Sequence, residues 1–356
     1  MRANPIGADL LALLPHSPDA YPQKLDLVRQ LVLVIRLDAS AYRSASFLDD
    51  RILGPGTQGT WIPVIRVTEA ARQVPEPRPL HFIFHTGHVG STLVSRLLDE
   101  TGLVLPLREP LPLRTLADAH DTLRLPESLV DEAQFADLFD MTLRLWSRGY
   151  EATRAVIVKA TSTASRMAGQ LLDARPDSRA IYLNLRAEPY LATLLSGQNS
   201  AEDLRGHGPG RMRRLQALSS QALRPLHQLS IGELAALGWL VESASQHEAV
   251  RGFPERVLAI DFDAFLADVG GSLGRIVRHF QLPVEARDLA RIGGSAVLNQ
   301  YSKAPDRPYT QDDRAALLRE SRQHNRAEIA KGLAWLEHLA RGDSAIAAII
   351  TSAGTS

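Results

Sequence analysis

The stretch HFIFHTGHVGSTLVSRLLDE, residues 81–100, decides how the chain is read. It opens as an apolar strand, passes through a loop of Gly, His, Ser and Thr, and leaves as an amphipathic helix. Gly87 and Gly90 let the backbone approach a ligand closely. Ser91 and Thr92 open the helix, where N–H groups and hydroxyls converge on whatever sits at its N-terminus. Successive N–H groups and the helix dipole make an anion nest. Leu93, Val94, Leu97 and Leu98 supply the stripe that docks the helix on a sheet. The loop is therefore predicted to hold a phosphate. A triphosphate-binding loop, G-x-x-x-x-G-K-[ST], needs a lysine after its second glycine. Here that position is Ser91.

Outward from this stretch, short and nearly continuous apolar runs alternate with helical segments. Strands are expected at 81–86, 103–107, 155–160, 180–185 and 256–262, as for parallel strands covered on both faces. Strand–helix alternation at this spacing predicts an α/β fold, a three-layer doubly wound sheet of mainly parallel strands. Residues 1–79 read differently, with a strongly apolar run at 25–38 (strand or buried helix), turn signals at GPGTQG and a proline-rich boundary at 74–79. They are expected to form an N-terminal cap or small subdomain, and residues 80–356 the main domain. From Thr310 to about Leu339 the pattern predicts one long polar helix packed on the outside.

Composition narrows the function. At 356 residues, 45% hydrophobic and 22% charged, the chain can bury a full core. Forty basic and forty acidic side chains cancel, so any anion site must be local and nucleic acid is disfavoured as a partner. There is no cysteine, which excludes disulfides, thiolate metal sites and a cysteine nucleophile. The apolar run near the N-terminus is broken by Pro15, and no segment has the ~18 apolar residues of a membrane span. A cytoplasmic enzyme is the expectation.

Residues His81 to Tyr309 resemble the sulfotransferase family, P-loop-like enzymes that use 3′-phosphoadenosine-5′-phosphosulfate as donor. That family's phosphosulfate loop is matched in register by His88-Val89-Gly90-Ser91-Thr92, with Gly87 preceding it; His88 stands where the family has Lys or Arg. The resemblance implies a 3′-phosphate site at the strand-end Arg186 with a hydroxyl from Thr193 or Ser196. It also implies a C-terminal loop over the nucleotide carrying Ser302 and Lys303. RVLAIDFDAFLADVGGSLGRIVRHFQLP (256–283) matches a segment that is chiefly structural in the family. The product would be adenosine 3′,5′-bisphosphate, and no metal is required.

Chemistry candidates follow from sulfuryl transfer, which needs donors on the moving group's oxygens and a base for the acceptor hydroxyl. Lys159 ends a strand at the sheet edge that the loop occupies, and is the first candidate for touching the sulfuryl group. Glu109 and His120 compete as the base. Arg108 and Arg114 are candidates for binding an acidic acceptor or the nucleotide. RGHGPGRMRRL (205–215) reads either as a glycine-hinged lid over an anionic substrate or as a solvated helix start. Two other readings stay open: a P-loop kinase or nucleotide hydrolase, with Asp261 or Asp263 on Mg²⁺, and a non-catalytic binding protein of the same fold.

Overall fold

The structure is a computed structural model describing residues 5–197 and 200–355. Its centre is a five-stranded sheet built from β4 (Leu80–His85), β5 (Val104–Arg108), β6 (Ala155–Lys159), β7 (Ala180–Asn184) and β8 (Val257–Asp261). The order is β5-β6-β4-β7-β8 and every pairing is parallel. Each strand lies within one residue of its expected bounds, because parallel strands covered on both sides are written as unbroken apolar runs. The pleat sends Phe82 and Phe84 into one core and Ile83 into the other. This is the three-layer α/β architecture read from the sequence.

Residues before the sheet form an antiparallel meander of β1 (Ala20–Asp26), β2 (Leu31–Arg36) and β3 (Gly59–Pro63). The apolar run at 25–38 is thus the turn and second strand of a hairpin, with Gln30 at φ 53° beside the turn. Tyr21, Val32, Val34 and Tyr42 belong to the same core as Phe82 and Phe84.

Two expectations are corrected at the C-terminal end. The single polar helix expected from Thr310 to about Leu339 is two helices, Gln311–His324 and Arg326–Gly342, and a third, Ser344–Thr355, follows it. Asn325 breaks the run, and its side-chain amide bonds the Ser321 hydroxyl at 3.0 Å. Nor is the segment merely peripheral. Ile329, Trp335, Leu336, Leu339, Ile346 and Ile349 join the second core; the surrounding charges mask that stripe in the sequence. A two-stranded ribbon, β9 (Gln300–Tyr301) and β10 (Ala304–Pro308), precedes these helices and carries Ser302 and Lys303 at its turn. The 205–215 stretch lies inside one continuous helix, Ser200–Leu218, with Pro209 in its interior. No helix among the described residues is long and apolar enough to cross a membrane.

Candidate active site

Parallel strands present their C-termini together, and register aligns them: Ile83 faces Lys159 and Ile181, Arg108 faces Lys159, and Asn184 faces Asp261. β4 is central, and the chain leaves it to build the sheet on both sides, so its C-terminal end is where such a sheet binds ligands. The loop at that end has Gly87, His88 and Gly90 at φ 100°, 55° and 67°. A Cβ on Gly90 would fall 2.0 Å from the Phe262 ring, so only glycine fits there.

His85 fastens the loop from beneath. Its Nε2 lies 2.9 Å from the Ala160 carbonyl, and the Gly87 N–H donates to its Nδ1 at 3.1 Å. These bonds assign the Nε2–H tautomer, and burial followed by the Lys159 charge holds the ring neutral, its pKa well below the usual value.

Above it, the N–H groups of His88 through Leu93 meet no acceptor among the described residues. The helix Ser91–Asp99 has no side-chain cap. The Thr92 hydroxyl is buried without a partner. An uncapped helix start with an orphaned hydroxyl is the donor set an anionic oxygen would satisfy. His88 adds no fixed charge. It lies on the cavity wall and is exposed to solvent; desolvation by the protein around the ring, then Lys303, push its pKa down to about 4.

The loop forms one wall of a cavity of about 360 Å³, within the range of small-molecule pockets. Facing it are Thr193, Ser196 and Gly197, the ribbon residues Gln300 to Lys303, and Tyr309, Gln311 and Arg314. The Thr193 hydroxyl donates to the Pro189 carbonyl and that of Ser196 to the Thr193 carbonyl, both at 2.7 Å. Each keeps lone pairs free to accept. Arg314 is paired with Asp263 at 2.7 Å and lies 5.4 Å from the Phe262 ring centroid.

Glu109 enters the cavity from the end of β5, at φ 54°. Its N–H donates to the Lys159 carbonyl at 2.7 Å, and its carboxylate pairs with the Lys159 ammonium. Lys159 is fully buried. Burial lowers its pKa while Glu109 acts in the opposite sense. Two non-glycine residues in the left-handed region, His88 and Glu109, therefore meet at one site, as strained backbone tends to.

The cavity wall holds His88, Val89, Gly90, Ser91, Thr92, Glu109, Thr193, Ser196, Ser302 and Lys303. Gly87 lies under it on His85. Five candidates fall elsewhere. Lys159 stands behind Glu109 rather than on the wall, since its side chain is spent on that ion pair. Arg186 is exposed at the N-cap of the Ala187–Leu195 helix and does not line the cavity. His120 sits in the Leu111–Thr122 helix, against Phe135 and 3.4 Å from the Gln170 amide, away from the cavity. Arg108 is committed to Ser95, Asp99 and three backbone carbonyls, so it is not free for a ligand. Arg114 does not line the cavity either. Asp261 caps the Phe262–Ala267 helix, one oxygen accepting from the Ala264 N–H at 2.8 Å, and Asp263 is paired with Arg314.

Sequence reading missed His85, Phe262, Tyr309, Gln311 and Arg314. His85 carried a signal, two residues before Gly87 at a strand end. Arg314 carried none, being one of many charges on a polar helix.

No family model matches the chain, and no curated protein matches it. Among solved structures it is similar to the mouse sulfotransferase SULT7A1 complexed with PAP: 12% identity over 80% of this chain and 92% of that one, TM-score 0.40. It is also similar to the sulfotransferase STF1 from Mycobacterium tuberculosis: 13% identity, 75% and 82% of the chains, TM-score 0.39. A third is the sulfotransferase domain from the curacin biosynthetic pathway: 16% identity, 65% and 83%, TM-score 0.38.

Proposed function

We propose that the protein is a sulfotransferase, moving a sulfuryl group from 3′-phosphoadenosine-5′-phosphosulfate to an acceptor hydroxyl. The observation that carries this is one juxtaposition: an uncapped, lysine-free anion loop with a carboxylate across the same cavity, backed by a buried lysine. The loop N–H groups and Thr92 would hold the 5′-phosphosulfate. Arg314, facing the loop across the cavity, would take the 3′-phosphate in exchange for Asp263, and the Thr193 and Ser196 hydroxyls would turn from the carbonyls they bond to donate to it; Arg suits it because its planar fork bonds two oxygens. Ser302 and Lys303 close the cavity over the nucleotide.

In the reaction the acceptor oxygen bonds to sulfur as the bond from sulfur to the bridging phosphate oxygen breaks, and adenosine 3′,5′-bisphosphate leaves. Glu109 takes the acceptor proton. Lys159 positions that carboxylate through their buried ion pair. His120 is too remote to share this work. The kinase reading is not favoured, since Ser91 stands where a triphosphate-binding loop has its lysine and Asp263 is paired with Arg314.

Calorimetric titration with adenosine 3′,5′-bisphosphate, against ATP with and without Mg²⁺, tests the donor site. Micromolar binding of the bisphosphate, retained in chelator, is expected. ATP binding that requires Mg²⁺, with none of the bisphosphate, would overturn it. Glu109→Gln should lower turnover by about 10²–10⁴-fold with bisphosphate affinity within a few-fold of wild type. Equal losses in both would make Glu109 a binding residue instead.

A further inference from the structure

The Thr86 N–H donates to the Leu183 carbonyl, and the Gly90 carbonyl accepts from Val94. Between those two points the loop backbone makes one hydrogen bond among the described residues, from the Gly87 N–H to His85 Nδ1 at 3.1 Å. Gly87 stands at φ 100°. Glycine has many other conformations open to it, so a contact outside the loop must select this one. His85 is placed to do so: it is 5% exposed and lines the cavity.

The imidazole is itself held on its other edge. Nε2 lies 2.9 Å from the Ala160 carbonyl, and the Ser165 hydroxyl lies 3.2 Å from the His85 nitrogen and 3.4 Å from its carbonyl. One residue earlier on β6, the Lys159 carbonyl accepts the Glu109 N–H at 2.7 Å. Anion loop and carboxylate, the two sides of the cavity, thus hang from consecutive carbonyls at the end of one strand. A neutral imidazole suits the loop's side, with an acceptor on one edge and a donor on the other.

We infer that His85 is the positioning residue of the anion loop: its Nδ1 selects the Gly87 conformation from which the loop N–H groups converge, and its Nε2 ties that conformation to the strand end on which Glu109 also hangs. This rests on the donor reading proposed above. His85 acts through Gly87 rather than on the ligand. Its two bonds can be separated by substitution. An Asn side-chain oxygen accepts from the N–H two residues on, so His85→Asn keeps the Gly87 bond and gives up the one to Ala160. His85→Gln is closer to histidine in size and long enough to keep a donor on Ala160, but it abandons the Gly87 N–H. His85→Leu keeps neither. Bulk and hydrogen bonding therefore predict opposite orders for Asn and Gln.

The experiment measures the affinity of wild type and the three variants for adenosine 3′,5′-bisphosphate and adenosine 3′-monophosphate by calorimetry, with ligand-free thermal unfolding of each. Wild type is expected to prefer the bisphosphate. His85→Gln and His85→Leu should lose about tenfold or more of bisphosphate affinity, the worth of one hydrogen bond, while His85→Asn stays within about threefold of wild type. The monophosphate has no 5′ group for the loop to hold and should bind all four alike. Tm should fall in every variant, since each strips a buried site, without following the order of affinity. If His85→Gln binds closer to wild type than His85→Asn does, the inference is overturned. Loss of both nucleotides in step with Tm makes His85 structural and also overturns it, as does undiminished bisphosphate preference in His85→Gln; each of these leaves the donor reading standing. Should His85→Leu not fold, the Asn–Gln order decides alone. A wild type that does not distinguish the two probes removes the donor reading, and this inference with it.

Discussion

His88 holds a left-handed backbone without being glycine, at φ 55°. Asn tolerates that region with little strain, whereas a β-branched residue does not. The imidazole is exposed and its pKa is lowered in the ligand-free protein, so no permanent charge is built into the loop at this position. His88→Asn should therefore fold normally and keep bisphosphate affinity within tenfold. His88→Val should lose about 1–2 kcal/mol of stability and distort the loop. Calorimetry and denaturant unfolding of the two variants decide it, and identical behaviour would show that the backbone conformation is not what position 88 selects. At the same scale, local geometry was legible where a residue type is tied to a local pattern: Gly90, Ser91 and Thr92 belong to the turn they make. Arg186 shows the opposite case: a strand-end arginine looks alike in sequence whether it lines a cavity or, as here, faces solvent.

Elements were more legible than residues. The parallel strands are apolar on both faces, and that leaves a strong mark in the sequence. The helices after Thr310 left a weaker one, since their buried stripe is interrupted by charges and the break at Asn325 has no proline or glycine to announce it. Close approach between helices was also hidden. A Cβ on Gly232 would stand 1.9 Å from the Glu328 carbonyl oxygen, and one on Gly332 would stand 2.6 Å from the Gly232 carbonyl oxygen. The helices Ile231–Gly252 and Arg326–Gly342 touch through backbone at this crossing. Gly232→Ala should thus lose about 1–3 kcal/mol by overpacking, although alanine favours helix. A gain in stability by thermal unfolding would show that the crossing relaxes freely.

Over the whole molecule, several histidines are buried neutral. His81 stacks on Phe280 at 5.1 Å, accepts from the Arg179 N–H at 3.1 Å, and has its pKa pushed to about 4, chiefly by burial. His85 is lowered in the same direction. The unfolded chain binds these protons below about pH 6.5 and the folded one does not. Their contribution is therefore fully present above about 6.5 and is lost as pH falls through about 4, amounting to about 3 kcal/mol for His81. Unfolding by urea between pH 7.5 and 4 should show this slope, shallower in His81→Asn, which keeps an acceptor for Arg179. An unchanged slope in that variant would exclude His81 as its source. The first eighty residues were the least legible part, because their partners are remote in sequence. Arg108 binds the carbonyls of Tyr42, Arg43 and Ala45, and Arg148 those of Leu14, Ser17 and Ala20.

The strand order has a consequence in time. β4 is central, but its neighbours are β6 and β7, and β6 begins about 70 residues after β4 ends. At a synthesis rate of about 5–20 residues per second, β4 leaves the ribosome roughly 4–14 seconds before β6 exists to pair with it. For that interval both backbone edges of β4 lack a sheet partner, and the N-terminal meander and the Ser91–Asp99 helix are the only covers already made for Phe82, Ile83 and Phe84 among the described core residues. The nascent chain is then most open to aggregation, and most dependent on chaperones, while the residues between Arg108 and Ala155 are still being made.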